Sequence, residues 1–116
     1  MVYLLEKTVE ITLLYDYYGE LLTNRQQEIV NLYYFHDLSL GEISEKLSIS
    51  RQGVYDHLQR SEKTLNKYED DLGLVEKHQN FSRKLNELYD YIDKSFSEKE
   101  KTGELLKKIA EIQKQI

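Results

Sequence analysis

The sequence predicts an all-α protein, and three observations carry that prediction. Proline is absent and only five glycines are present, so almost nothing punctuates the chain. Charged residues make up 32% of it, as long helices with solvated faces require. Apolar residues recur every three or four positions along most of its length, the spacing that stacks side chains on one face of a helix. The 116 residues leave room for one compact head and an extension, because domains cluster around ~100 to 150 residues. We place the head at residues 1–70 and a helical arm at 71–116.

The first helix carries Leu4, Thr8, Ile11, Tyr15, Tyr18 and Leu22 on one face and is expected to end near Gly19 in a left-handed C-cap. Thr23 and Gln26 form a capping box that starts the next helix, whose apolar content is Ile29, Val30, Leu32, Tyr33 and Tyr34. His36-Asp37-Leu38 breaks the period. Ser39 and Glu42 then give a second capping box ahead of a short helix, Leu40 to Leu47, with Ile43 inside it. Ser48-Ile49-Ser50 forms a turn, Ser50 caps the following helix, and Val54, Leu58 and Leu65 supply its buried stripe as far as Tyr68.

In the arm, Leu74, His78, Phe81, Leu85, Leu88 and Ile92 alternate steps of four and three, a heptad seam. After a gap at Ser95 to Ser97, a third capping box at Ser97 and Glu100 leads into Leu105, Ile109, Ile112 and Ile116. The arm is therefore either a helical hairpin or a long helix whose seam needs a partner. Gly103 lies inside the last helix, where it costs ~1 kcal/mol relative to alanine, so fraying is expected there first. We expect Leu74, Phe81, Leu85, Leu88 and Ile92 to mediate self-association as a homodimer.

The functional expectation comes from the middle of the chain. Two helices locked at a fixed angle let the second enter the DNA major groove, and Ile43, Leu47, Ile49, Val54 and Leu58 are spaced to form that lock. A reading helix starting at Ser50 presents Arg51, Gln52, Tyr55, Asp56 and Gln59 outward. Arg51 has the donors for guanine and Gln52 the donor and acceptor for adenine, while Arg60 and Lys63 suit phosphates. Ser48 stands where such turns usually hold glycine, Gly53 weakens the reading helix by ~0.5 to 1 kcal/mol, and Asp56 is expected to repel phosphate. The other reading of these polar groups is a solvated surface on a protein-interaction module.

The stretch from Leu22-Thr23-Asn24-Arg25-Gln26-Gln27 through Asp37-Leu38-Ser39-Leu40-Gly41-Glu42-Ile43-Ser44 to Ile49-Ser50-Arg51-Gln52-Gly53-Val54 looks like region 4 of bacterial sigma factors. The wider run, with Tyr15-Asp16-Tyr17-Tyr18-Gly19 and Leu32-Tyr33-Tyr34, resembles the YlxM family of small bacterial helix-turn-helix proteins over about residues 4 to 74. That resemblance implies DNA binding and an association with the signal recognition particle. Nothing in the residues themselves points to protein targeting.

Other functions are not expected. The net charge is −5, with two basic and six acidic groups in residues 1–37, so any nucleic-acid contact has to be local. There is no cysteine, and His36, His57 and His78 are isolated, which leaves no thiolate site and no paired metal spacing. No phosphate-cradling glycine loop and no nucleophile elbow is present, so we expect neither catalysis nor a cofactor. Tyr15, Tyr18, Tyr33 and Tyr34 fall at core spacing and read as packing with a hydroxyl at the rim. The amino terminus lacks a basic leader and no segment approaches ~18 apolar residues, so a cytoplasmic protein is expected, and Asn80-Phe81-Ser82 is a sequon in form only.

Overall fold

The computed structural model describes residues 2–96 and 99–115, and every regular element among them is helical. The order is α1 (Val2–Tyr18), a 3-10 turn (Gly19–Leu21), α2 (Asn24–Val30) continued by a wide π turn (Asn31–Phe35), α3 (Leu40–Leu47), α4 (Arg51–Leu72), α5 (Leu74–Ser95) and α6 (Lys99–Gln115). The chain divides into two compact units, residues 1–75 and 76–116. The third expected capping box at Ser97 and Glu100, the Leu4 side chain and Ile116 lie outside the described residues.

Local chemistry starts the helices of the head. Thr23 Oγ1 accepts from the Gln26 backbone at 3.2 Å while the Gln26 side chain accepts from the Thr23 backbone at 3.1 Å. Ser39 and Glu42 repeat the arrangement, both bonds at 3.1 Å. These reciprocal bonds satisfy amide groups that a helix start otherwise leaves without partners. Glu42 is held below its ordinary carboxylate range by the Ser39 backbone and hydroxyl bonds.

Four features of the head depart from the sequence expectation. Gly19 is not left-handed: a Cβ there would stand 2.9 Å from the Tyr15 ring, so the glycine serves close packing and the helix tightens into a 3-10 turn. After Val30 the helix widens, with the His36 amide donating to the Asn31 carbonyl at 3.1 Å. That wider turn lets Tyr34 donate to Glu62 and sets Phe35 beside Tyr15, ring centroids 5.4 Å apart. Asp37 joins Ser48 at positive φ, both at 55°. Finally α4 passes Tyr68 and stops at Leu72, where Gly73 takes the left-handed conformation (φ 63°) that closes a helix end.

The core of this unit is Ile11, Leu14, Tyr18, Leu22, Ile29, Val30, Ile43, Val54, Leu58, Leu65 and Val75, with Leu47 and Ile49 packed against it. α4 supplies its central stripe and meets α1, α2 and α3. Tyr15, Tyr33 and Tyr34 are half-buried against the core, and the hydroxyls of Tyr15, Tyr18 and Tyr34 are bonded as the core reading requires: Tyr15 accepts from Asn31 at 2.9 Å, Tyr18 donates to Glu69 at 2.6 Å and Tyr34 donates to Glu62. Glu69 also accepts from the Val75 amide, and Tyr18 accepts from the Leu74 amide at 3.1 Å, so one hydroxyl and one carboxylate hold the break between α4 and α5.

In residues 76–116 the helices α5 and α6 form a hairpin. The Gln113 side chain donates to Asn86 at 2.5 Å, which the short link between the helices permits only if they run antiparallel. Ile92, Thr102 and Ile109 are buried there, and Ser82, Leu85, Tyr89, Leu106 and Gln113 are half-buried. Ile92 is thus used within the chain and Leu85 partly so, whereas Leu74, Phe81 and Leu88 remain exposed. The expected seam is displaced to include Ser82 and Tyr89, because a hairpin seam takes its centre from where α6 lies and not from where apolar residues are densest.

Two outcomes follow from this packing. Val54→Asp places an unpaired carboxylate at a site with 0% exposure, next to Ile43, and should unfold residues 1–75 through a desolvation cost of several kcal/mol. An unchanged melting temperature would refute the position of α4 in the core. The hydroxyls of Tyr17, Tyr18 and Tyr34 are held above the usual phenol value, first by burial and then by carboxylates: Asp16 and Glu69 for Tyr17, Glu69 for Tyr18, Glu62 for Tyr34. Such a raised acid adds stability that is present below its ordinary value of 10.0 and is lost as pH climbs past it. Thermal melts at about pH 9 and about pH 11 should therefore separate, and Tyr34→Phe should narrow the gap.

Candidate nucleic-acid interface

The α3–turn–α4 unit is built from the turn outward. Ser48 ends α3 in the left-handed region (φ 55°, ψ 43°), a conformation a serine adopts at modest cost and one that reverses the chain within a single residue. The Ser44 hydroxyl donates to the Ile49 carbonyl at 2.5 Å and the Ile49 amide donates back to the Ser44 carbonyl at 3.2 Å, which stitches α3 to the turn. Ser50 then caps α4, accepting from the Gly53 amide at 2.9 Å. A Cβ at Gly53 would stand 3.1 Å from that Ser50 hydroxyl, so the glycine costs helix propensity yet makes room for the cap.

The expected contact residues fall into two groups. Ser50, Arg51, Gln52 and Tyr55 are exposed over the first two turns of α4, and Asp56 is half-exposed among them. The Arg51 guanidinium lies against the first turn of α3: a Cβ on Gly41 would meet its Nη2 at 3.0 Å and its Nε at 3.2 Å. Gln52 donates through Nε2 to Asp56 at 2.9 Å, one helical turn on. Asp56, expected among the outward residues and to repel phosphate, also orients the Gln52 amide, leaving its carbonyl oxygen and second N–H for other partners.

The second group is Gln59, Arg60 and Lys63, which line a groove of about 480 Å³ between α4 and α1. Glu6 and Glu10 of α1 line the same groove, so the positive charge of α4 faces carboxylates beyond Gln59. Beneath it Glu62, 8% exposed, accepts from Tyr34 and pairs with Lys7 at 3.5 Å, tying α1 and the π turn to α4. Glu62 costs less to bury because both oxygens have partners.

Sequence reasoning passed over Gly41, Glu62 and the Gln52–Asp56 pair. A glycine in the first turn of a capped helix was the available sign for Gly41, since helix propensity alone disfavours it. An i, i+4 glutamine and aspartate was the sign for the pair. Glu62 had none, because its partners are 28 and 55 residues away in sequence. Among the described residues no group of His, Cys, Asp or Glu could hold a metal ion, and no helix is long and apolar enough to cross a membrane.

Gly41→Ala should raise the melting temperature, with helix propensity contributing ~0.5 to 1 kcal/mol, and should displace the Arg51 guanidinium by a few tenths of an ångström. The side-chain Nε resonance of Arg51 would report that displacement. An unmoved resonance would place Arg51 elsewhere.

Residues 5–109 match the family of helix-turn-helix proteins described as YlxM / p13 like, UPF0122. A UPF0122 protein of Thermoanaerobacter sp. (strain X514) is 52% identical over 106 residues, covering 91% of this chain and 90% of its own. One from Caldanaerobacter subterraneus subsp. tengcongensis is 57% identical over 82 residues, 71% of this chain and 70% of its own. Another, from Geobacillus sp. (strain WCH70), is 39% identical over 110 residues, 95% of this chain and its full length. The chain belongs to this family.

Proposed function

We propose that this member of the YlxM / p13-like helix-turn-helix family is a sequence-selective DNA-binding regulator that acts in the cytoplasm, in connection with the signal recognition particle pathway. One observation carries the DNA reading: a doubly capped α3–turn–α4 unit exposes Arg51, Gln52 and Tyr55 on the first two turns of α4, where a reading helix meets base edges. Gln52, held through one N–H by Asp56, offers adenine the acceptor and donor it pairs with, and Arg51 swings from Gly41 to offer guanine two donors. Arg60 and Lys63 take phosphates. The link to protein targeting rests on the family alone. A homodimer is not required by this reading, since Ile92 is buried within the hairpin.

A second reading is favoured by the carboxylates of Glu6 and Glu10 in the groove of Arg60 and Lys63. Acid beside those bases offsets local attraction for phosphate, and an adaptor for a protein or ribonucleoprotein of the secretion-targeting machinery tolerates such mixed charge.

Gel-shift titration against random duplex at two salt concentrations separates the two. In the DNA reading, Arg51→Ala costs ~1 to 3 kcal/mol at the preferred site and relaxes base choice there, whereas Lys63→Ala weakens all duplexes alike and lowers the salt slope by about one. If neither change alters binding to any duplex, and both weaken capture of the purified particle, the adaptor reading replaces the regulator.

A further inference from the structure

α5 and α6 share one seven-residue register. Their inward positions include Leu85 and Ile92 on α5 and Thr102 and Ile109 on α6. Three residues after, or four before, those positions stand exposed apolar side chains: Phe81 and Leu88 on α5, 62% and 46% exposed, and Leu105 and Ile112 on α6, 48% and 50%. One residue before half-buried His78 and Leu85 on α5 and before Thr102 and Ile109 on α6 stand the exposed lysines Lys77, Lys84, Lys101 and Lys108, while exposed Tyr91 takes that place before Ile92. Equal offsets from the seam fall on the same side of an antiparallel pair, just as positions of one letter face each other in an antiparallel coiled coil. The four apolar side chains therefore form one face of the hairpin, and the lysines border both of its outer edges. On the α5 half a groove of about 400 Å³ is lined by Lys77, Asn80, Phe81, Lys84, Leu85 and Leu88.

We propose that this face docks a third helix, supplied by a partner protein, with an apolar stripe flanked on both sides by aspartate or glutamate. A two-helix layer that leaves one apolar side open is completed by another layer, and an amphipathic helix laid in a groove is the usual form of it. The lysine borders select the charge of the flanks, as e and g positions select partners in coiled coils. A second copy of the hairpin fits less well, because it would bring its own lysine borders against these. An anionic lipid surface fits less well too, because α5 also carries exposed Glu87, Asp90 and Asp93. The residues of this face take no part in the DNA reading, so either proposal can fail alone.

The test uses the full chain and two labelled synthetic helices of about six turns, identical in a leucine stripe and flanked by glutamate in one and lysine in the other. Fluorescence anisotropy should give the glutamate helix a preference of about tenfold or more at low salt, shrinking at about 0.5 M. Phe81→Asp with Leu88→Asp should abolish that binding. Lys84→Glu with Lys108→Glu should reverse the preference. All four replace exposed side chains, and circular dichroism checks that the helices persist. Equal affinity for the two peptides, or a charge-reversed variant that keeps the wild-type preference, overturns the proposal. So does a dimer in sedimentation that the Phe81 and Leu88 changes dissociate, which would assign the face to a second copy. Binding to phosphatidylglycerol vesicles without any preference between the peptides would assign it to lipid instead.

Discussion

Everything in residues 1–75 depends on one stripe of α4. Val54, Leu58 and Leu65 are 0 to 4% exposed, and each of α1, α2 and α3 buries its own apolar residues against that helix. Full burial of such side chains contributes roughly 1.5 to 3 kcal/mol apiece. The angle between α3 and α4, on which any reading of a groove relies, is thus set by core packing around Ile43 and Val54, two residues of 0% exposure. The outward side chains of α4 inherit their directions from that buried face and are free to vary without disturbing it.

The polar residues inside this unit are arranged so that burial leaves none stranded. Ser61, fully buried, donates to the His57 carbonyl at 2.7 Å, and Asn66 donates to the Glu62 carbonyl at 2.9 Å. No buried side-chain nitrogen or oxygen among the described residues lacks a partner. A network satisfied in this way adds specificity: Glu62 fits beside Tyr34 and Lys7 in only one placement of α1 on α4, whereas an apolar contact would tolerate sliding.

What was legible in the sequence was what is decided locally. Thr23 with Gln26 and Ser39 with Glu42 form their boxes within four residues, so the starts of α2 and α3 could be read directly, and α3 spans Leu40–Leu47 as expected. Ser50 and the Val54–Leu58–Leu65 stripe were equally plain. The wide turn at Asn31–Phe35 was not, because an i to i−5 bond leaves no signature in apolar spacing and is selected by where Tyr34 and Phe35 must reach. Gly19 looked like a cap and proved to be a gap for the Tyr15 ring, a contact that only the folded chain supplies. In the candidate interface the identities of Arg51, Gln52 and Tyr55 were readable, but the rest of Arg51 on Gly41 and the acidic wall opposite Lys63 arise between helices. In the arm, likewise, apolar density marked Phe81 and Leu88, which the hairpin leaves outside.

The bond from Tyr18 to Glu69 joins residues 51 apart in sequence. During synthesis, α1 leaves the ribosome with Ile11, Leu14 and Tyr18 exposed, and their partners on α4 follow only after some fifty further residues. The elements in between meet that helix only in part, through Asn31 and Phe35 against Tyr15, and Tyr18 finds its hydrogen-bond partner only on α4. The contacts of Tyr18 with Glu69 and with the Leu74 amide are therefore complete only when α4 and the break at Gly73 have been made. Translation thus has to deliver nearly the whole head before the Tyr18 end of α1 has all of its native partners.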